Sequence, residues 1–492
     1  MAEIERRMSD TEALMWRLEK DPFLASSFAN ITVLDRSPDM DQLYARMERT
    51  AILFPRLRRR VQHAPGNLGN PAWVDDTDFD IRYHVRRISL PEPGSMRQLQ
   101  DLATLILADP FDRSRPLWQF IVVDGVSGGR SALIEKLHHT VTDGQGGVEM
   151  SLHFLDLERT PPPLPPLDAD LINATVTATT ADPAEALRDA MTDSLKIPLA
   201  VLRQVRDVLS DPSQIATIGS SASATVKGII TQITETDAAR SPLWTQRSIR
   251  RRLETSRVPY REMREAARAL GGKINTAFVT ATAHAAGEYH RQLGAPVESL
   301  RASMAISTRT DGSGANAFSL ARMLVPTADM PMAERFAAVN EALNAARAES
   351  ESTSLDAIAT VATVLPTSVI TRLARAQAQT VDFATSNVRG SGVALYVAGA
   401  KLLENYPVGP LTGVAFNVTL MSYLGSLDVG INIDEAAVES PSLLKECLDK
   451  AFTEMCEFAP ADSRVADAPT SGAVQETGGA DTPRRRWWRR SG

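Results

Sequence analysis

Two apolar runs, 118–123 and 132–137, flank Ser127-Gly128-Gly129, and the second ends on His138-His139. Runs of this length around a glycine-rich turn predict a β-hairpin, because glycine lets the backbone reverse between paired strands. The second strand therefore carries two histidines at its own end. Gly144-Gln145-Gly146-Gly147 then lets the chain turn into a helix, expected over 148–155. A hairpin that feeds a helix demands a mixed α/β framework, and strand ends are where such frameworks open into clefts.

The other segments fit the same framework. Residues 41–52 place Leu43, Met47 and Ala51 on one helical face, and 99–107 reads as a short helix before Asp109-Pro110. Residues 79–86 alternate like an edge strand. Pro161-Pro162-Pro163-Leu164-Pro165-Pro166 breaks regular structure and marks a linker. Helices at 184–208 and 222–233 are expected to bridge to a second mixed segment. There, helices are expected over 260–270, 274–289, 332–348 and 355–377, and strands over 300–307, 393–397, 415–423 and 426–433. A helix over 440–458 closes the fold. The expected organisation is a first lobe over 1–160, a Pro-rich and helical linker over 161–245, a second lobe over 246–458 and a disordered tail over 459–492.

Length supports two lobes, since 492 residues exceed what one hydrophobic core usually organises. A net charge of −7 gives no reason to expect nucleic acid as a partner. Cys447 and Cys456 are the only cysteines, which argues against a disulfide framework and fits a reducing cytoplasm. The charged N-terminus lacks the apolar stretch of a secretory signal, and no run is long enough to span a membrane. The tail ends Arg484-Arg485-Arg486-Trp487-Trp488-Arg489-Arg490, which suits either an anionic membrane interface or a solvated end.

The run His138-His139-Thr140-Val141-Thr142-Asp143-Gly144 carries the chemistry. A neutral imidazole, with an ordinary pKa near 6.5, can take a proton from a hydroxyl and return it to a leaving group. Asp143 can fix the local backbone or orient a side chain, and Gly144 permits close approach. The competing readings are a structural histidine pair, a metal site and a serine hydrolase. Adjacent strand histidines point to opposite faces, and no further Cys/His spacing completes a metal ligand set. No Gly-x-Ser-x-Gly elbow is present. Base catalysis without a covalent intermediate fits best.

With these residues in hand, the chain resembles the bacterial wax ester synthase/diacylglycerol acyltransferase family over about residues 8–458. The resemblance rests on the His-His run, on Pro116-Leu117-Trp118 before it, and on Met8-Ser9-Asp10-Thr11-Glu12 at the start. Ser386-Asn387-Val388, Tyr406-Pro407-Val408-Gly409-Pro410 and 417–423 are similar to its later blocks. The resemblance implies an α/β (α+β) fold of two chloramphenicol-acetyltransferase-like lobes, with the active site in a tunnel between them. It implies His139 as general base, with His138 shaping the site and Asp143 held structurally by an arginine, for which Arg58 is the expected partner. Gly144 and Asn275 would support the site, while Asn387, Pro116, Leu117 and Trp118 would contact substrate.

The implied activity is transfer of a long-chain acyl group from acyl-CoA to diacylglycerol or a fatty alcohol, giving triacylglycerol or wax ester. Acyl-CoA would be a co-substrate, with no metal and no resident cofactor. A peripheral location on the inner membrane or lipid bodies, from the cytoplasmic side, is expected. The alternatives are another hydroxyl or amine acceptor, or a weakly catalytic acyl-lipid-binding protein of lipid bodies. Two departures bear on activity: Thr276 follows Asn275 where the family usually has Asp, and Arg389 follows Val388 where it has Pro. A second Pro242-Leu243-Trp244 reads as a linker element, and Ser307-Thr308-Arg309 with Asn316 as structural support.

Overall fold

The computed structural model describes residues 7–63, 70–164, 166–167, 241–307, 318–352 and 367–461. In chain order the first part holds α1 (Asp10–Leu18), β1 (Ser27–Leu34), α2 (Met40–Leu53), β2 (Arg59–Gln62), β3 (Ala72–Asp75) and α3 (Ile81–His84). It continues through β4 (Val85–Ser89), α4 (Met96–Ala108), β5 (Trp118–Val126), β6 (Arg130–His138), α5 (Gly144–Ser151) and β7 (Leu155–Asp156). The second part opens with β8 (Arg251–Pro259), α6 (Tyr260–Ala269), α7 (Ile274–Gln292), β9 (Ser299–Ser307), β10 (Phe318–Pro326), α8 (Met332–Ser352) and α9 (Thr367–Ala378). It ends with β11 (Phe383–Val388), β12 (Tyr396–Val397), β13 (Ala400–Val408), β14 (Phe416–Tyr423), β15 (Ser426–Asp434) and α10 (Pro441–Cys456).

These elements make two mixed sheets. A seven-stranded sheet runs β4-β5-β6-β1-β13-β12-β7 and a six-stranded one runs β10-β9-β11-β14-β15-β8. The hairpin expected at 118–137 is present as the antiparallel pair β5–β6. Strand β1 is the hinge of the arrangement, because it pairs with β6 on one side and with β13 on the other. Strand β13 comes from late in the chain, so residues 396–408 complete the first sheet although their sequence neighbours build the second. Close passage of β15 across β13 requires glycine. A Cβ on Gly430 would sit 1.9 Å from the Pro407 carbonyl oxygen.

Both faces of the first sheet are covered. Ala29, Ile31 and Val33 of β1 pack with Leu99, Ala103 and Leu107 of α4. The opposite face adds Leu133 and Leu137 to Trp118, Phe120 and Met47. The second sheet buries Phe416, Val418 and Ile431 against α7 and α10, where Phe278 and Phe452 stack at 6.1 Å. Helix starts follow local chemistry: Ser9 with Glu12, and Ser95 with Gln98, each form a capping box, which satisfies the free N–H groups of a first turn.

Several expectations are corrected. The edge strand placed at 79–86 is a single helical turn followed by β4, because the Asp80 carboxylate accepts the Arg82 N–H at 2.9 Å and Phe79 stacks on His84 at 5.3 Å. The helix expected over 148–155 begins earlier, at Gly144, since Asp143 caps it. The strand at 393–397 reduces to Tyr396–Val397. The expected helices at 184–208 and 222–233, the stretch 353–366 and the tail beyond 461 lie outside the described residues, as do Thr308, Arg309 and Asn316.

Candidate active site

Strand β6 ends at His138, and the ladder continues one step further, where the His139 N–H donates to the Ser26 carbonyl at 3.3 Å. The chain then tightens through Val141 N–H to His138 O at 2.9 Å and enters α5. Asp143 is the N-cap of that helix, its Oδ1 accepting the Gly146 N–H at 2.7 Å. A carboxylate at this position satisfies an orphan donor and meets the positive end of the helix. The Gly-rich turn thus has a plain cause, and Gly144 a second one: a Cβ there would lie 3.2 Å from Cγ2 of Val388 on β11. The His-His loop is thereby pressed against the second sheet.

The two histidines differ sharply. His138 is fully buried, and its Nδ1 accepts the Thr140 N–H at 3.1 Å. That bond leaves the ring hydrogen on Nε2, which lies 2.6 Å from Oε2 of Glu19. Burial pushes the Glu19 carboxyl up, but His138, Arg113 and the Ser27 hydroxyl outweigh it and hold the group below the usual carboxylate range. His139 is half-buried, with its ring tilted over Phe28 at 4.7 Å between centroids. Burial, then the neighbouring His138, pushes its pKa down to about 3, so the imidazole is neutral across the physiological range.

On the second lobe, Asn387 at the end of β11 donates its amide to Asn275 Oδ1 at 2.5 Å. Asn275 stands at the start of α7, and its neighbour Thr276 turns inward, donating its hydroxyl to Asn340 Oδ1 at 2.9 Å. The structure therefore brings Asn387 and Asn275 together. Val388, next to Asn387, meets Gly144 beside the His-His loop.

Two assignments are corrected. Arg58 does not reach Asp143: its guanidinium lies over the Phe79 ring at 4.6 Å. The arginine beside the loop is Arg56, which donates to the Thr140 carbonyl at 2.9 Å and to Glu12. The one-turn helix formed by residues 55–58 sends side chains two positions apart to different faces, and spacing alone could not rank them. Pro116-Leu117-Trp118 does not line a substrate surface either. All three are buried, the Trp118 indole N–H donates to the Leu57 carbonyl at 2.8 Å, and its ring stacks on His84 at 4.5 Å. The Leu117 carbonyl accepts the His138 N–H at 3.1 Å, so the triplet positions the strand that carries the histidines.

Glu19 is the residue the sequence reading missed. It lies at the end of α1, far from the histidines in sequence, and only the fold places it against His138. The second Pro242-Leu243-Trp244 packs in the second lobe. There Ser241 Oγ meets His290 Nε2 at 2.8 Å under the Trp244 ring, a buried arrangement that pins the chain beside Asp382. Among the described residues no three His, Cys, Asp or Glu side chains converge as metal ligands, and no helix is long and apolar enough to cross a membrane.

Comparison with known proteins agrees with this framework. Residues 8–278 match a family profile described as "Wax ester synthase/diacylglycerol acyltransferase catalytic domain", and residues 314–456 match one described as "WS/DGAT C-terminal domain". A putative diacylglycerol O-acyltransferase of Mycobacterium tuberculosis is 33% identical over 472 residues, 92% of this chain and 93% of that one. Another putative diacylglycerol O-acyltransferase of that organism is 30% identical, covering 88% of this chain and 93% of its own length. Among solved structures, a wax ester synthase/diacylglycerol acyltransferase from Marinobacter aquaeolei VT8 superposes with a TM-score of 0.62 at 21% identity, over 92% of this chain and 99% of that one. The first condensation domain of the calcium-dependent antibiotic synthetase shares the fold at a TM-score of 0.55 and 14% identity, over 95% of this chain and 100% of that one.

Proposed function

Because the chain belongs to the wax ester synthase/diacylglycerol acyltransferase family, and is therefore an acyltransferase, we propose that it moves a long-chain acyl group from acyl-CoA to diacylglycerol or a fatty alcohol with His139 as general base. The observation that carries the base assignment is the contrast within the pair. His138 is locked by Thr140 and Glu19, whereas His139 is half-buried and neutral at the end of β6. The acceptor preference follows the names of the Mycobacterium relatives.

In this reading the His139 imidazole takes the acceptor's hydroxyl proton while the oxygen attacks the thioester carbonyl. A tetrahedral oxyanion forms, the C–S bond then breaks, and the imidazolium returns the proton to the departing CoA thiolate. Burial that disfavours a charged ring in the free enzyme is offset only while an anionic oxygen or sulfur faces it, so imidazolium is stabilised at the moment it is needed. Asn387, held by Asn275, would orient substrate in this reading. Acyl-CoA serves as co-substrate, and the proton transfers require no metal or resident cofactor. The protein would act peripherally at a membrane or lipid-body surface, where its apolar acceptors reside.

The test measures thiol release from palmitoyl-CoA with dioleoylglycerol or hexadecanol as acceptor. His139→Ala is expected to lower kcat by roughly 100-fold or more, as loss of a general base does. Wild-type turnover in that variant overturns the base assignment. Absence of turnover on both acceptors in the parent protein overturns the activity.

A further inference from the structure

The face of the first sheet that carries Phe28 and His139 holds a polar cluster among its apolar side chains. Opposite pairs across β1 and β6 share a face, so Phe28 with Leu137, Asn30 with Glu135 and Thr32 with Leu133 form successive rows behind His139. The middle row is polar. Asn30 Nδ2 donates to Glu135 Oε2 at 2.8 Å and to Asn405 Oδ1 at 2.5 Å, and it lies 3.1 Å from Thr32 Oγ1. Thr32 Oγ1 donates to the same Asn405 oxygen at 2.9 Å. Asn405 in turn donates from Nδ2 to the Met421 sulfur at 3.1 Å and from its backbone to Asp428 Oδ2 at 2.7 Å, which ties the cluster to the second sheet.

Asn30, Glu135 and Asn405 are half-buried rather than sealed. Internal bonds consume the Asn30 amide hydrogens, yet its Oδ1 is buried and has no hydrogen-bond partner among the described residues. Glu135 keeps acceptor capacity as well, since its one described side-chain bond is to Asn30. Burial pushes its carboxyl up to about 7, with Asn30 opposing that rise. A buried acceptor with no donor costs free energy until something supplies an N–H or O–H.

The missing donor identifies the ligand's chemistry. A diacylglycerol or fatty alcohol has a single hydroxyl, and that hydroxyl must stand at His139. The pantetheine arm of acyl-CoA trails the thioester with two amide N–H groups and a hydroxyl. Glu135 precedes His139 by four residues on one strand face, about 13 Å at a strand's rise, a span the extended arm covers.

We propose that Asn30 and Glu135, held in place by Asn405, form the subsite that binds the amide-bearing pantetheine arm of the donor. This rests on the acyl-CoA reading above. The subsite selects thioesters that carry hydrogen-bond donors.

The experiment compares the full-length protein with Glu135→Leu, Asn30→Leu and the conservative Glu135→Gln. Two donors are used: dodecanoyl-CoA, and the S-propyl thioester of dodecanoic acid, which lacks amides. Both Leu variants are expected to lose about tenfold or more in kcat/KM for dodecanoyl-CoA, and the S-propyl thioester should change by less than about twofold. Glu135→Gln should keep most of the activity, and the KM for the acceptor should not move. Equal losses on both donors, or a shift confined to the acceptor's KM, overturn the proposal. Equilibrium binding of dodecanoyl-CoA supplies a readout free of turnover. Should the parent protein release no CoA with any acceptor, the acyl-transfer reading fails. Weaker dodecanoyl-CoA binding by the Leu variants would still support the subsite, and unchanged affinity would overturn it. Asn30→Ser replaces Asn30→Leu, with the same outcomes, if the latter melts early.

Discussion

Glu19 Oε2 stands 2.6 Å from His138 Nε2, so a carboxylate from the first helix fixes the tautomer of a histidine at the end of a distant strand. The Thr140 N–H meets the other ring nitrogen at 3.1 Å, so the His138 ring is held in one orientation. In the proposed mechanism His138 shapes the backbone that aims His139, so Glu19 would act on the site through two residues rather than by contact.

Replacing Glu19 by Gln should therefore weaken the positioning without removing the base. A roughly 10- to 100-fold fall in kcat is expected, with KM for both substrates within about twofold. Nitrogen-15 NMR of the His138 ring should show the Nε2–H tautomer losing its dominance. An unchanged tautomer together with unchanged kcat would remove Glu19 from the site.

His139 should not titrate near neutrality. Its pKa is pushed down to about 3 by burial and then by His138, so kcat/KM should show no inflection near pH 6.5 arising from this residue. An inflection there that vanishes in a His139 variant would contradict the assignment of a neutral, desolvated base.

The same shifts predict how stability depends on pH. His139 at about 3 and His84 at about 4, both lowered chiefly by burial, lie below the unfolded value of roughly 6.5. The unfolded chain binds more protons in that window, so their contribution is full above about pH 6.5 and is lost as pH falls toward the folded values. Glu135 works in the opposite sense. Its carboxyl is raised to about 7 by burial, so its contribution is full below the unfolded value near 4.5 and is lost as pH rises through about 7. Urea denaturation between pH 3 and 8 should thus show a maximum, and Glu135→Gln should flatten the alkaline decline. A decline unaffected by that change would assign it elsewhere.

Arg56 and Arg58 should separate cleanly. Arg56→Ala removes the donor to the Thr140 carbonyl and the partner of buried Glu12, and it should lower activity and stability together, by on the order of 1–3 kcal/mol in unfolding free energy. Arg58→Ala removes a guanidinium from the face of Phe79 and should cost under about 1 kcal/mol with kcat unchanged. Thermal denaturation and initial-rate assays check both, and a larger effect at Arg58 would reverse the correction.

Gly430→Ala places a methyl group 1.9 Å from the Pro407 carbonyl, where β15 crosses β13. Backbone on both sides leaves little room to relax, and a loss on the order of 1–3 kcal/mol is expected from overpacking. A normal melting temperature would mean that the two sheets separate there at little cost.

Periodicity and turn chemistry made much of the framework legible. The hairpin, the helices now seen at α2, α4, α6 and α7, and the pair β14–β15 all carry strong local signals. Strands β1, β11 and β13 did not declare themselves. Ser27–Leu34 places Phe, Asn and Thr on one face, and Ala400–Val408 contains Lys, Glu, Asn and Pro. Their strand character comes from partners far away in sequence, because β1 needs both β6 and β13 to satisfy its backbone.

What the sequence determined by itself is the chemistry at the end of β6: two histidines, a capping aspartate and a glycine-rich turn, all set by neighbours within a few residues. Tertiary structure alone decided which groups face them. Glu19, Arg56 and Val388 reach the site through sheet register and crossing backbones, and register is fixed by burial summed over whole faces rather than by any local run.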